Sequence, residues 1–158
     1  MSGAQSELIE RFYAAFARRD GDAMAGCYAP DVRFRDPVFG ELRDEAPGAM
    51  WRMLTGRADD LDIRLTEHGA DGEHGSAHWI ADYTFSATGR AVHNDVQARF
   101  RFHDGLICDH EDRFSFWAWS RQALGPAGLA LGWTPLLRAR VRREALTGLE
   151  VFRRTEQP

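Results

Sequence analysis

Residues 92–116, VHNDVQARFRFHDGLICDHEDRFSF, carry two runs of alternating apolar and polar residues around the turn His103-Asp104-Gly105. Period-two alternation on both sides of an Asp-Gly turn specifies an antiparallel hairpin. In the first arm Asn94, Val96, Ala98, Phe100 and Phe102 share one face, and His93, Asp95, Gln97, Arg99, Arg101 and His103 take the other. Such a strand lays one face on a core and the other on water or a partner. In the second arm Cys108, His110, Asp112, Phe114 and Phe116 fall together, so a mostly apolar face includes a histidine and a carboxylate. Burying an unpaired carboxylate costs several kcal/mol. A polar pair on a core face therefore marks a lined cavity.

The segments before the hairpin read as helices followed by strands. Leu8, Ile9, Phe12, Ala15 and Phe16 recur at three- and four-residue steps in a helix capped by Ser6 and running through Arg19. After Asp20-Gly21 a shorter helix carries Ala23, Met24 and Cys27 and ends before Pro30. Val32, Phe34 and Asp36 alternate in a strand stopped by Pro37, and 37–42 reads as loop. A third helix spans Glu45 to Leu54, with Pro47 in its first turn, where proline is tolerated. Strands follow at 61–69 and 74–86, the second with Ala77, Trp79, Ala81, Tyr83 and Phe85 on one face. This order predicts an α+β fold in which helices cover one face of a curved antiparallel sheet. The tail has Trp117, Trp119 and Trp133 in a stretch broken by glycines, then a helix from Pro135 to Arg153. Leu137, Val141, Ala145, Leu149 and Phe152 make its apolar stripe, read as docking the helix on the fold with its arginine-rich face in water.

Composition narrows the chemistry. At 158 residues and 44% hydrophobic, the chain is one domain of ordinary core content. A net charge of −4 leaves no basic footprint for nucleic acid. All 20 basic residues are arginine, which excludes Schiff-base chemistry and a phosphate-loop lysine. No apolar run approaches the roughly 20 residues of a membrane span, and the N-terminus lacks a signal-peptide pattern. Cys27 and Cys108 read as free thiols in a cytoplasmic protein. His74 and His78 lie about 13 Å apart along a strand, too far for one ion. No metal or cofactor is expected.

The stretch FYAAFARRDGDAMAGCYAPDVRFRDP, followed by a helix and four strands with an Asp-Gly turn before Ile107, resembles the nuclear-transport-factor-2-like cone. Within that group it is similar to SnoaL-like polyketide cyclases, ketosteroid isomerases and limonene-epoxide hydrolases. The resemblance covers roughly residues 5–120. It implies a sheet wrapped around the N-terminal helices to enclose a pocket, often in a homodimer, with the C-terminal helix as an addition. Asp36, in RDPVFGE, matches the position of the ketosteroid isomerase base. The positions of that family's oxyanion donors are taken by Phe12 and Ala98, which donate nothing, and neighbouring Tyr13 is expected to point elsewhere on the helix. Asp112 matches the acid/base aspartate of SnoaL-like cyclases. The epoxide hydrolase triad is incomplete: Asp82 stands for its aspartate, but Ile80 falls where its arginine should be.

These readings make Asp112, His110 and Asp36 the candidate catalytic residues. The competing readings are a His–Asp pair that merely fixes the strand and an Asp36 that caps backbone amides before Pro37. Phe12, Phe16, Trp79, Tyr83, Asn94, Val96, Ala98, Phe100, Phe114 and Phe116 are the candidate lining of a pocket for a hydrophobic small molecule. Three functions fit: a cofactor-free acid/base enzyme acting on a carbonyl-bearing ligand, a non-catalytic binding or assembly module, and an epoxide-type hydrolase. A homodimer through the outer sheet face is expected, with Trp117 and Trp119 covered by a second subunit or by the C-terminal helix. Neither nucleic acid nor a membrane is an expected partner.

Overall fold

Helix α1 (Ser2–Ala17) exists because its apolar residues return to one side every turn: Ile9 and Phe12 have no exposed surface, and Leu8, Ala15 and Phe16 have almost none. The computed structural model describes residues 2–156. Ser6 lies inside α1 rather than capping it, since Ala4 and Gln5 are good helix formers that carry the helix back to Ser2. Asp20 caps α2 (Gly21–Ala25), accepting the Ala23 amide at 3.0 Å. The chain then enters β1 (Tyr28–Asp36), turns through Pro37 and returns as β2 (Gly40–Arg43). The segment expected as loop thus contains a short strand. Its Leu42 is buried opposite Phe34, and Gly40 supplies the left-handed residue of the turn. Helix α3 (Ala46–Arg57) follows, with Pro47 in its first turn as expected.

The remaining strands are β3 (Asp62–Asp71), β4 (His74–Phe85), β5 (Arg90–His103) and β6 (Leu106–Arg113). One six-stranded sheet results, in the order β2-β1-β6-β5-β4-β3. The hairpin β5/β6 is in place, with both Asp104 and Gly105 at positive φ, as a two-residue turn of this twist requires. The sheet is not antiparallel throughout: β1 lies parallel to β6. That pairing is non-local, and hairpin signals in the sequence do not report it. The inner face of the sheet, α1 and α3 share one core that includes Phe12, Phe16, Phe34, Met50, Trp51, Trp79 and Phe100. The outer face carries hydrogen-bonded His–Asp pairs, among them His78–Asp95 at 2.6 Å and His93–Asp82 at 2.7 Å.

The tail departs furthest from expectation. Strand β6 ends at Arg113, and Ser115 caps a helix, α4 (Phe116–Leu124), by accepting the Ala118 amide at 3.1 Å. Phe116, Trp119 and Ala123 recur at i, i+3 and i+7 and, with Val92, form a second buried cluster. Phe114 and Phe116 look like a continuing strand because two aromatic residues two apart satisfy period two as well. Trp119 is therefore buried inside the chain. Trp117 is 38% exposed and packs toward α5 (Pro126–Leu131), donating to the Leu129 carbonyl at 3.1 Å. Helix α6 (Pro135–Glu156) lies along the fold through its expected stripe, of which Leu149 is fully covered. Its far end is tied to α3 by Arg52, which donates to both carboxylate oxygens of Glu156 at 2.7 and 2.9 Å.

Candidate active site

Strand β6 delivers His110 and Asp112 to the inner face, where 0% and 4% of their surfaces are exposed. Both imidazole nitrogens are engaged. Nε2 lies 2.8 Å from Asp112 Oδ1, and Nδ1 lies 2.8 Å from the Tyr28 hydroxyl, which accepts from Trp51 Nε1 at 2.7 Å. An indole can only donate, so Trp51 gives its proton to the Tyr28 oxygen, and the Tyr28 hydroxyl, the His110 ring and the Asp112 carboxylate continue the chain of bonds. Rings of Phe12, Phe34, Phe100 and Trp51 enclose it at centroid distances of 5.5, 5.0, 4.5 and 6.3 Å. With both nitrogens bonded and no exposed surface, His110 orients Asp112, and it is Asp112 that fronts the interior.

Cross-strand register decides what surrounds Asp112. It stands opposite Ala98 of β5, and Ala98 stands opposite Ala77 of β4. On the other side the parallel ladder pairs Phe34 with His110 and Arg35 with Glu111, so one step further brings Asp36 beside Asp112. Across the inner face this row reads Ala77, Ala98, Asp112, Asp36. Strand spacing is about 4.8 Å, so two short methyl side chains adjoin two neighbouring carboxylates.

Asp36 ends β1 and turns the chain, its Oδ1 accepting from the Val38 and Phe39 amides at 2.9 and 2.6 Å. This turn is the structural role that the sequence offered as the alternative to chemistry. Its carboxyl is also perturbed. Burial raises its pKa from 3.8 to about 7, the Asp112 charge adds to the rise, and the two amides and Arg142 oppose it. Near neutral pH the Asp36 carboxyl is therefore partly protonated.

Donors are present in Tyr13 and Trp79. Tyr13 is 3% exposed, with its ring 5.7 Å from Trp79 and 6.4 Å from Phe100, so it points inward rather than away. Its hydroxyl and Trp79 Nε1 are both buried without a hydrogen-bond partner. Burial first, and the Asp112 charge second, push the Tyr13 phenol well above its usual range, which keeps it a neutral donor. Helical spacing carries the signal for this residue: Ile9, Tyr13 and Phe16 follow at i, i+4 and i+7. Tyr28 and Trp51 had no such signal, because their role arises only from their bonds to each other and to His110.

Of the residues expected to line the interior, Phe12, Phe16, Trp79, Val96, Ala98 and Phe100 are in the main core. Tyr83 and Phe114 are half-buried between the two clusters, as is Val38. Asn94 is half-buried on β5. Phe116 does not belong to the inner strand face and lies in the second cluster. The Tyr83 hydroxyl accepts from Trp119 Nε1 at 3.0 Å, and its pKa is raised by burial and also by the Asp36 charge. Tyr83 further lines a surface hollow of about 400 Å³ with Asp60, Thr84, Val92, His93 and Gln122. Ile80 and Asp82 lie on the outer face, where Asp82 bonds His93, so they contribute nothing to the interior.

The SnoaL-like domain profile matches residues 9–110, ending at the histidine of the pair. A search of the curated proteins finds no match. Among solved structures, a protein of ketosteroid isomerase-like fold from Catenulispora acidiphila, crystallised with trimethylamine, is 18% identical. The alignment covers 82% of this chain and 98% of that one, with a TM-score of 0.66. An LEH-like epoxide hydrolase of M. tuberculosis is 20% identical over 82% of this chain and 97% of its own, with a TM-score of 0.67. TerC, co-crystallised with polyporic acid, is 19% identical over 77% and 98%, with a TM-score of 0.65. At these identities the structures establish a shared cone, and the profile, matching well over half of the residues, establishes that the chain belongs to the SnoaL-like family.

Proposed function

We propose that the protein is a cofactor-free acid/base enzyme acting on a small, flat, hydrophobic molecule that carries a carbonyl group. The observation that carries this reading is the Asp36–Asp112 row beside two orphaned donors. Asp112, bonded to His110, is the base that removes a proton next to the carbonyl. Asp36, with its pKa near 7, is the acid that returns one. Tyr13 Oη and Trp79 Nε1 are buried donors without partners, suited to an oxygen that gains negative charge as the proton leaves. A neutral phenol and an indole act here where Phe12 and Ala98 cannot.

One observation favours the second reading, a binding or assembly module. The aromatic side chains pack closely around His110, and neither a surface hollow of about 400 Å³ beside Tyr83 nor one of about 540 Å³ beside Arg52 is lined by His110 or Asp112. In this reading the cone is a filled core. The epoxide-hydrolase reading has no comparable support, since Ile80 and Asp82 face outward.

Hydrogen–deuterium exchange separates the two. The probe is 2-tetralone, a flat ketone with exchangeable α-protons, followed by NMR in deuterated buffer. The enzyme reading expects exchange above the buffer rate, lowered roughly 10²-fold in Asp112→Asn and 10-fold or more in Tyr13→Phe. Exchange at the buffer rate in the wild type, with tight binding of the ketone, would favour the module.

A further inference from the structure

From Gln122 to Leu137 the chain has no charged residue, a run bracketed by Arg121 and Arg138. The structure turns this run outward: Leu129 is 56% exposed, Leu131 50%, Trp133 68% and Leu136 83%. That exposure is built into the packing. Gly128 and Gly132 are buried against Ser120, where a Cβ on the first would overlap the Ser120 carbonyl and one on the second its Oγ. The Ser120 hydroxyl donates to the Gly128 carbonyl at 3.4 Å, and Trp117 Nε1 holds the Leu129 carbonyl. Helix α5 is clamped to α4 through its glycines, so its larger side chains face solvent. The stripe from Leu137 to Phe152 accounts for the docking of α6, but it leaves this tip unexplained.

The rim of the tip is basic. The Arg121 guanidinium sits 5.2 Å over the Trp117 ring, and Arg138 sits 5.4 Å over Phe116. Arg140 and Arg143 follow on α6, both exposed. Glu144 is the only acidic residue between Arg121 and Leu149, and Arg140 pairs with it at 3.3 Å.

We propose that this tip docks the protein on an anionic lipid bilayer. Leu129, Leu131, Trp133 and Leu136 enter the interfacial zone, and the arginines rest against headgroup phosphates. Charge selects this occupant. Residues 116–156 hold seven arginines and three glutamates in a chain whose net charge is −4. A second copy meeting it tip to tip would bring two positive rims together, which disfavours self-association. Among the described residues no helix is long and apolar enough to cross a membrane, so the contact lies in the plane of the interface.

Vesicle co-sedimentation of the full chain tests this, using phosphatidylcholine alone and phosphatidylcholine mixed with phosphatidylglycerol, at low and high salt. The expected result is pelleting at least about tenfold stronger with the anionic vesicles, weakened by salt, with a blue shift of tryptophan emission. Both tip residues Trp133 and Leu136 are exposed, so Trp133→Ser with Leu136→Ser should keep the wild-type melting temperature and lose at least about tenfold in binding. Replacing Arg138, Arg140 and Arg143 by Gln should remove the preference for the anionic lipid. The proposal fails if wild type does not pellet with anionic vesicles, or if the tip variant pellets equally well. It also fails if the wild type dimerises through the tip without binding vesicles, as shown by sedimentation velocity of both proteins.

Discussion

Asp36 and Asp112 come from strands that meet in parallel, and they end up side by side on the inner face with one raised carboxyl pKa between them. Each has its own support. Asp112 accepts from His110, and Asp36 accepts from the amides of Val38 and Phe39. The support is unequal in kind, since a ring N–H of a four-residue chain orients the first and a local turn holds the second. Two carboxylates in different surroundings are what acid/base chemistry at neutral pH requires.

The raised pKa of Asp36 has a sign that can be checked. Its folded value, about 7, exceeds the ordinary 3.8, so its contribution to stability is fully present below about pH 4. Between 4 and 7 the unfolded chain ionises first, and that contribution is lost as pH rises, levelling off above about 7. Asp36→Asn keeps an oxygen for the two amides and removes the charge. The variant is expected to be more stable than wild type at pH 8, by up to a few kcal/mol, and about equal at pH 4. Urea unfolding at both pH values measures the difference. Equal stabilities at pH 8 would mean that Asp36 is not held near neutrality by the fold.

The chain from Trp51 to Asp112 should behave as one unit. Tyr28→Phe leaves Trp51 Nε1 and His110 Nδ1 buried without partners, at a cost of about 2–4 kcal/mol. Tyr28 and Asp112 do not bond each other, and only His110 joins them. A double-mutant cycle of Tyr28→Phe with Asp112→Asn is nonetheless expected to show coupling above about 0.5 kcal/mol. Strict additivity in denaturant unfolding would separate the two bonds and remove His110 as the link.

The clamp between α4 and α5 predicts a sharp effect from a single methyl group. In Gly128→Ala the new Cβ meets the Ser120 main chain, which cannot swing aside as a flexible side chain would. A loss of about 2 kcal/mol or more is expected, with faster proteolysis confined to α5 and the turn after it. Gly3→Ala, whose Cβ meets nothing within 4 Å, is the control. Matching melting temperatures for the two variants would show that α5 is not packed as described.

How much of this was legible in the sequence differs by element, and for physical reasons. Alternation around Asp104-Gly105 determined the β5/β6 hairpin and placed His110 and Asp112 on the inner face, because side-chain parity along a strand is a local property. Helices α1 and α3 were equally local. Helix α4 was hidden because Phe114, Phe116, Trp117 and Trp119 satisfy period two as readily as the helical spacing that the Ser115 cap selects. The parallel contact of β1 with β6 is non-local, and with it the pairing of Asp36 with Asp112. So are the bonds of Tyr28 and Trp51 to His110, which join residues far apart in the chain. Sequence by itself determined that His110 and Asp112 face inward, but not that Tyr13 does or that Phe116 leaves that face; only the tertiary structure decided which side chains meet, since meeting depends on strand order and on the helices laid across it.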